Sequence, residues 1–105
     1  MFESKTIEQL AADAALLSAV AEPIRMQLLE QLTAGPSCVC NLRTQPEIPA
    51  NLLSYHLKVL REAGLIEGAR RGRWIDYALV EGALQRLHAA LPGAGVPTRR
   101  LTVLR

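Results

Sequence analysis

Aromatic residues, cysteine and long apolar runs are all scarce in this chain of 105 residues. Aromatics make up 4% of the chain, too few for a platform that stacks the bases of single-stranded nucleic acid. No apolar run approaches the roughly 18 residues that a membrane span needs, and the first residues, from Met1 to Lys5, are unlike a signal segment. We therefore expect a cytoplasmic protein with no membrane partner.

The two cysteines, Cys38 and Cys40, lie two positions apart. This spacing is short for a structural disulfide, so in a reducing compartment we expect a pair of thiols rather than a cross-link. The length predicts a single domain, which excludes a multi-domain enzyme. Half of the residues are apolar, enough for a small core without disulfides.

The net charge of +2 hides an uneven distribution. Residues 1–47 carry three basic and six acidic side chains, whereas residues 48–105 carry nine basic and four acidic ones. A basic second half indicates an anionic partner for that half.

The spacing of apolar residues predicts a series of helices. They cover residues 7–20, 23–32, a short third helix over 38–45 with Ser37 as its N-cap, a fourth over 50–63, and a last one over 80–91. Gly64 ends the fourth helix, and two short runs over 65–70 and 73–79 around Arg71-Gly72 are typical of a β-hairpin.

This order predicts a mainly α fold with a β-hairpin wing, the winged helix-turn-helix. Residues 1–92 are expected to form the DNA-binding and dimerisation domain. Residues 93–105 are expected to form a basic tail that is poorly ordered unless a partner holds it.

In a helix-turn-helix the second helix enters the major groove of DNA, here the predicted fourth helix. Its outward face carries Asn51, Ser54, Tyr55 and Lys58, which can bond to bases or phosphates. A solvated helix face would look the same in isolation, but Gly64 and the basic hairpin favour DNA binding. His56 is expected to be packed and hydrogen-bonded.

The hairpin predicts a wing that contacts the DNA backbone. Arg70, Arg71 and Arg73 cluster at its tip, where arginine supplies salt-dependent affinity. Trp74 and Tyr77 fall on opposite faces of a regular strand, so one of them is expected to pack inward.

Several segments resemble a known family: Leu17-Ser-Ala-Val-Ala-Glu-Pro-Ile-Arg25, Cys38-Val-Cys-Asn-Leu42, Ser54-Tyr-His-Leu-Lys-Val-Leu-Arg-Glu-Ala-Gly-Leu65 and Arg71-Gly-Arg-Trp-Ile-Asp-Tyr77. Over about residues 10–91 the chain resembles the ArsR/SmtB metalloregulatory repressors. The resemblance implies a homodimer, built from the first and last helices, that represses its own operon and leaves operator DNA when an inducer binds. One departure is Pro49-Ala50-Asn51, where the family often has a Ser-Gln pair.

The Cys38-Val-Cys40-Asn-Leu segment resembles the Cys-x-Cys-Asp-Leu of arsenite- and cadmium-sensing members. Thiolates suit soft ions such as arsenic(III), antimony(III) and cadmium(II). Arsenite prefers three thiolates, so a pair is expected to take an organoarsenical or loosely held arsenite, with cadmium or antimonite less favoured. Residues two apart on a helix point about 200° apart, so inducer binding is expected to unwind or rotate the first turn of the third helix and displace the fourth. No permanent cofactor is expected.

Other readings of the cysteine pair remain open. They could be small buried apolar residues, or the pair could sense oxidants or persulfide within the same fold. A zinc module of Cys38, Cys40, His56 and His88 matches no familiar spacing. The chain shows neither the βαβ pattern that accompanies the cysteines of a thiol enzyme nor a catalytic triad, so we do not expect an enzyme.

Overall fold

The computed structural model describes residues 4–102, which form four α-helices and a three-stranded antiparallel sheet. The elements are α1 (Ile7–Val20), α2 (Pro23–Leu32), β1 (Ser37–Cys38), a 3₁₀ turn (Val39–Asn41), α3 (Ala50–Glu62), β2 (Ile66–Arg71), β3 (Trp74–Leu79) and α4 (Ala83–Ala90). Among these residues, no helix combines the length and the apolar character that a membrane crossing requires. This is the winged helix fold that the sequence predicts.

The first two helices begin where their capping residues stand. Thr6 accepts a bond from the Gln9 amide (3.1 Å), and the Gln9 side chain accepts one from the Thr6 amide (2.8 Å), which closes a capping box on α1. Glu22 caps α2 by accepting from the Arg25 amide (2.9 Å), with Pro23 in the first turn. Both helices have the predicted bounds.

The predicted third helix over residues 38–45 is wrong. Ser37 and Cys38 form an edge strand that pairs with β3, and only Val39–Asn41 coil, as one 3₁₀ turn. Ser37 therefore caps no helix. Instead the Cys38 sulfur accepts from the Cys40 amide (3.3 Å). Strand pairing with distant residues has overridden the weak helical preference of this short segment.

The hairpin turns one residue later than predicted. Gly72 and Arg73 form a two-residue loop, and Gly72 has a φ of +63°, which suits the first position of such a turn. Trp74 and Tyr77 lie on opposite faces as expected: Tyr77 is buried in the core, whereas Trp74 is 44% exposed.

The core lies between α2, α3 and the start of the hairpin. Its largest fully buried side chains are Leu28, Leu32, Leu57, Leu60, Leu65 and Ile66. The last helix begins at Ala83 rather than at residue 80, after Gly82 in the left-handed region. Residues 92–102 form turns and a segment without regular secondary structure, exposed throughout, and the rest of the predicted tail, including Arg105, lies outside the described residues.

Leu60 offers a direct test of this core because it is fully buried on α3. Leu60→Ala should lower the free energy of unfolding by about 2–5 kcal/mol, since it removes a buried side chain and leaves a cavity. Urea denaturation at a fixed protein concentration measures this. The exposed Glu62→Ala on the same helix is the control and should change stability by no more than about 0.5 kcal/mol. Equal losses in the two variants would contradict the assigned core.

Candidate DNA-binding surface and cysteine pair

Helix α3 presents one polar face to solvent. Asn51, Ser54, Tyr55 and Lys58 are all exposed, whereas Leu57 and Leu60 on the opposite side are buried. Positions 51, 54, 55 and 58 share one side of a helix because three or four residues make a turn. The four side chains predicted to meet DNA therefore form one continuous surface.

Two arginines hold this helix, one at its middle and one at its C-terminal end. At the middle, His56 is buried, and its Nδ1 accepts from Nη1 of Arg25 (3.0 Å), whose Nε donates to the Ala19 carbonyl (2.6 Å). At its end, Arg86 of α4 donates to the Gly64 carbonyl (2.6 Å). The orientation of the polar face is thus set by contacts with α1, α2 and α4.

The wing carries three exposed arginines of two kinds. Arg70 and Arg73 are exposed at the tip. Arg71 is held by Asp76 through two hydrogen bonds, Nε to Oδ2 (2.9 Å) and Nη2 to Oδ1 (3.2 Å). This fork keeps the pKa of Asp76 below its ordinary value and raises that of Arg71. The sequence offered no signal for this pair, because it depends on the register of the hairpin.

The two cysteines are neighbours in space. Cys38 is buried and Cys40 is exposed, their Cα atoms are 5.2 Å apart, and the structure joins their sulfurs as a disulfide. The expectation that the spacing disfavours a cross-link is therefore wrong. That expectation rested on the two-residue spacing alone, whereas an edge strand followed by a 3₁₀ turn brings the two side chains together.

The segment that follows the cysteines is held to α2 by two glutamines. The Gln31 side chain donates to the Arg43 carbonyl (2.6 Å) and accepts from the Arg43 amide (2.9 Å). Gln27 makes the same pair of bonds with Gln45 (2.9 and 2.8 Å). The loop between the cysteines and α3 is thus anchored on a helix, and the helix that inducer binding was expected to unwind does not exist.

No closed zinc site forms within residues 4–102, where no group of three or more potential His, Cys, Asp or Glu ligands comes together. Nδ1 of His56 accepts a hydrogen bond from Arg25, and His88 is exposed on α4. The two sulfurs can serve one soft ion or molecule only when the pair is reduced, since a disulfide has no thiolate to donate.

An exposed helix beside an arginine-tipped hairpin, both resting on one small core, defines a winged helix DNA-binding domain. Comparisons with known proteins specify the family. The profile described as "Bacterial regulatory protein, arsR family" matches residues 22–67. A crystal structure titled "Possible transcriptional regulator for arsenical resistance" matches with a TM-score of 0.66 and 37% identity, covering 71% of this chain and 78% of that one. The chain belongs to the ArsR family of bacterial regulatory proteins.

Two curated relatives are repressors with different names within this family. The repressor SmtB of Mycobacterium tuberculosis is 38% identical over 76% of this chain and 59% of its own length. The arsenical resistance operon repressor of Bacillus subtilis is 39% identical over 58% of this chain and 59% of its own length. The chain thus spans about three fifths of the length of these relatives.

Lys58 tests the α3 surface. Lys58→Ala should weaken binding to the DNA upstream of the chain's own coding sequence and reduce the slope of log affinity against log salt by about 0.9, the value for one lost phosphate contact. Fluorescence anisotropy at several salt concentrations measures both. Glu30→Gln, on an exposed position of α2, is the control. An unchanged salt slope in Lys58→Ala would mean that this side chain meets no phosphate.

Proposed function

We propose that the protein is a transcriptional repressor that binds operator DNA as a homodimer and leaves it when a thiophilic inducer binds Cys38 and Cys40. The α3 face and the wing arginines meet the DNA. The observation that carries this proposal is that Cys38, on a strand of the sheet that builds the wing, and Cys40, in the 3₁₀ turn after it, lie side by side with their Cα atoms 5.2 Å apart. The inducer is arsenite or an organoarsenical, with cadmium or antimonite less well served by two thiolates.

An apolar surface supports the dimer. Ile7 and Leu10 on α1 and Leu84 on α4 are exposed, as is Leu91 just after α4. Lys5 ties the start of α1 to the end of α4 by donating to the Ala89 carbonyl (2.9 Å). Exposed apolar residues on two adjoining helices favour contact with a second copy.

The chemistry of a reduced pair suits a trivalent arsenical with one carbon substituent. Phenylarsonous acid has two hydroxyl groups on arsenic. Each thiol replaces one hydroxyl, so two arsenic–sulfur bonds form and two water molecules leave. The two cysteines of this chain complete that exchange. Inorganic arsenite has a third position, which hydroxide or a small thiol fills. Cys40, which is exposed, is the first point of attack.

The experiment is a titration of the protein–DNA complex with phenylarsonous acid, in a phosphine reductant that has no thiol to compete for arsenic. Wild type should release DNA as one arsenical binds per protomer, a stoichiometry measured by intact mass. Cys38→Ser and Cys40→Ser should each keep DNA affinity and lose the response, because one thiol cannot chelate. Asn41→Ser is the matched control. Release that persists in both cysteine variants would overturn the proposal.

A second candidate is favoured by the pairing of the same two sulfurs in the structure. Here the repressor responds to oxidants or persulfide rather than to arsenicals. Hydrogen peroxide takes two electrons and two protons from the two thiols, which yields one disulfide and two water molecules.

Oxidation discriminates between the two candidates. If the pair senses oxidants, peroxide should weaken operator binding in wild type, and a phosphine reductant should restore it, because the disulfide reforms two thiols. Anisotropy measures the affinity, and free thiol counts measure the redox state. Cys40→Ser should be insensitive. Unchanged affinity after full loss of the free thiols would exclude this second candidate.

A further inference from the structure

Strand β3 lies between the cysteine pair and the wing. In the β1–β3 register Cys38 stands directly opposite Asp76, and in the β2–β3 register the same Asp76 stands opposite Ala69. Side chains of directly opposed residues point to one face of an antiparallel sheet. Cys38 and Asp76 are therefore neighbours on that face.

Asp76 in turn holds the tip of the wing. Its carboxylate accepts both bonds from Arg71, the last residue of β2 before the two-residue turn. A forked pair of this kind fixes the direction of the guanidinium group as well as its distance. The position of Arg71, one of the predicted DNA contacts, therefore depends on the position of Asp76.

The route from the cysteines to α3 is longer and better anchored. It runs along residues 41–49, whose backbone is bonded at Arg43 and Gln45 to the side chains of α2. The connection to the wing consists of one strand pairing, Cys38 with Asp76, and one side-chain contact, Asp76 with Arg71. We therefore expect a displacement at Cys38 to act most directly on Arg71.

An inducer bound to Cys38 produces such a displacement. The side chain is buried, with 7% exposure, and the 3₁₀ turn that carries Cys40 contacts β3. An arsenic atom bonded to the buried sulfur adds volume beside the strand. Because Asp76 stands opposite Cys38 on the same face of the sheet, the added volume is expected to displace the side chain of Asp76.

We propose that Asp76 is the positioning residue that couples the cysteine pair to the wing. Occupation of Cys38 and Cys40 shifts β3 at Asp76, breaks the fork to Arg71 and releases DNA through the wing, while α3 keeps its place. This inference rests on the proposed function, because it takes the inducer site as given.

The experiment compares the affinity for operator DNA with and without phenylarsonous acid in wild type, Asp76→Asn and Glu67→Gln. Glu67 is the matched control, since it is an exposed carboxylate on the same face of β2 as Arg71. We expect wild type and Glu67→Gln to lose affinity by about tenfold or more, within the usual range of allosteric coupling. Asp76→Asn should lose less than about threefold, because its amide cannot hold the guanidinium fork.

Trp74 supplies a readout that does not depend on DNA. It is the one tryptophan of the chain, and it stands opposite Arg71 at the tip of the wing. Binding of phenylarsonous acid to the DNA-free protein should change its emission in wild type and in Glu67→Gln, and change it much less in Asp76→Asn. Arg71→Lys, which keeps the charge and loses the fork, should show the same reduced coupling. The loss of coupling in the double variant Arg71→Lys/Asp76→Asn should be no larger than in either single variant.

Different outcomes test the coupling through Asp76 and the proposed function of the cysteine pair. If the arsenical binds the cysteines and releases DNA equally from wild type and Asp76→Asn, the coupling through Asp76 is overturned and the proposed function stands. If the emission of Trp74 does not change while DNA is released, the coupling through Asp76 is overturned as well. If intact mass shows no arsenical on the cysteines, the proposed function fails, and this inference with it.

Discussion

Strand β3 is hydrogen-bonded on both edges, and the rest of the functional surface depends on this double pairing. On one edge it holds β1, which places Cys38 and brings Cys40 beside it. On the other edge it holds β2, which sets the register of the wing and joins Asp76 to Arg71. Its inward face buries Tyr77 in the core. Because β3 pairs with β1 at Asp76 and Tyr77 on one edge and with β2 on the other, the cysteine segment and the wing are joined through one strand.

The outward face of α3 follows from what its inward face buries. Leu57 and Leu60 fill the core, and the buried His56 is bonded to Arg25. Once these three positions point inward, the helical period places Asn51, Ser54 and Lys58 outward. The bond from Arg86 to the Gly64 carbonyl fixes the C-terminal end of the helix. The orientation of the face proposed to bind DNA therefore rests on packing and on buried polar contacts on the opposite side of the helix.

The sequence shows how many basic residues each half of the chain carries, whereas the structure shows which of them are paired with an acidic residue. The excess of basic residues in the second half of the chain identifies the half that carries the wing. A count of charges treats the three wing arginines alike. The structure distinguishes them, because Asp76 holds Arg71 and not Arg70 or Arg73. Pairing of this kind arises only when the strands adopt one register, and a shift of one residue would move Asp76 to the other face.

The sequence by itself determined α1, α2, α3 and the hairpin. Each is long enough for its apolar period to be read, and capping or glycine residues mark where most of them begin or end. It also determined the polar face of α3, since a helical period assigns both faces at once. Residues 37–45 were assigned wrongly, because Ser37 before a short mixed segment resembles a capped helix start. Only the tertiary structure decided that this segment is an edge strand and a 3₁₀ turn, since its hydrogen-bond partners on β3 lie far along the chain. The same long-range pairing decided the contact between the two cysteines and the fork between Asp76 and Arg71, which no local pattern contains.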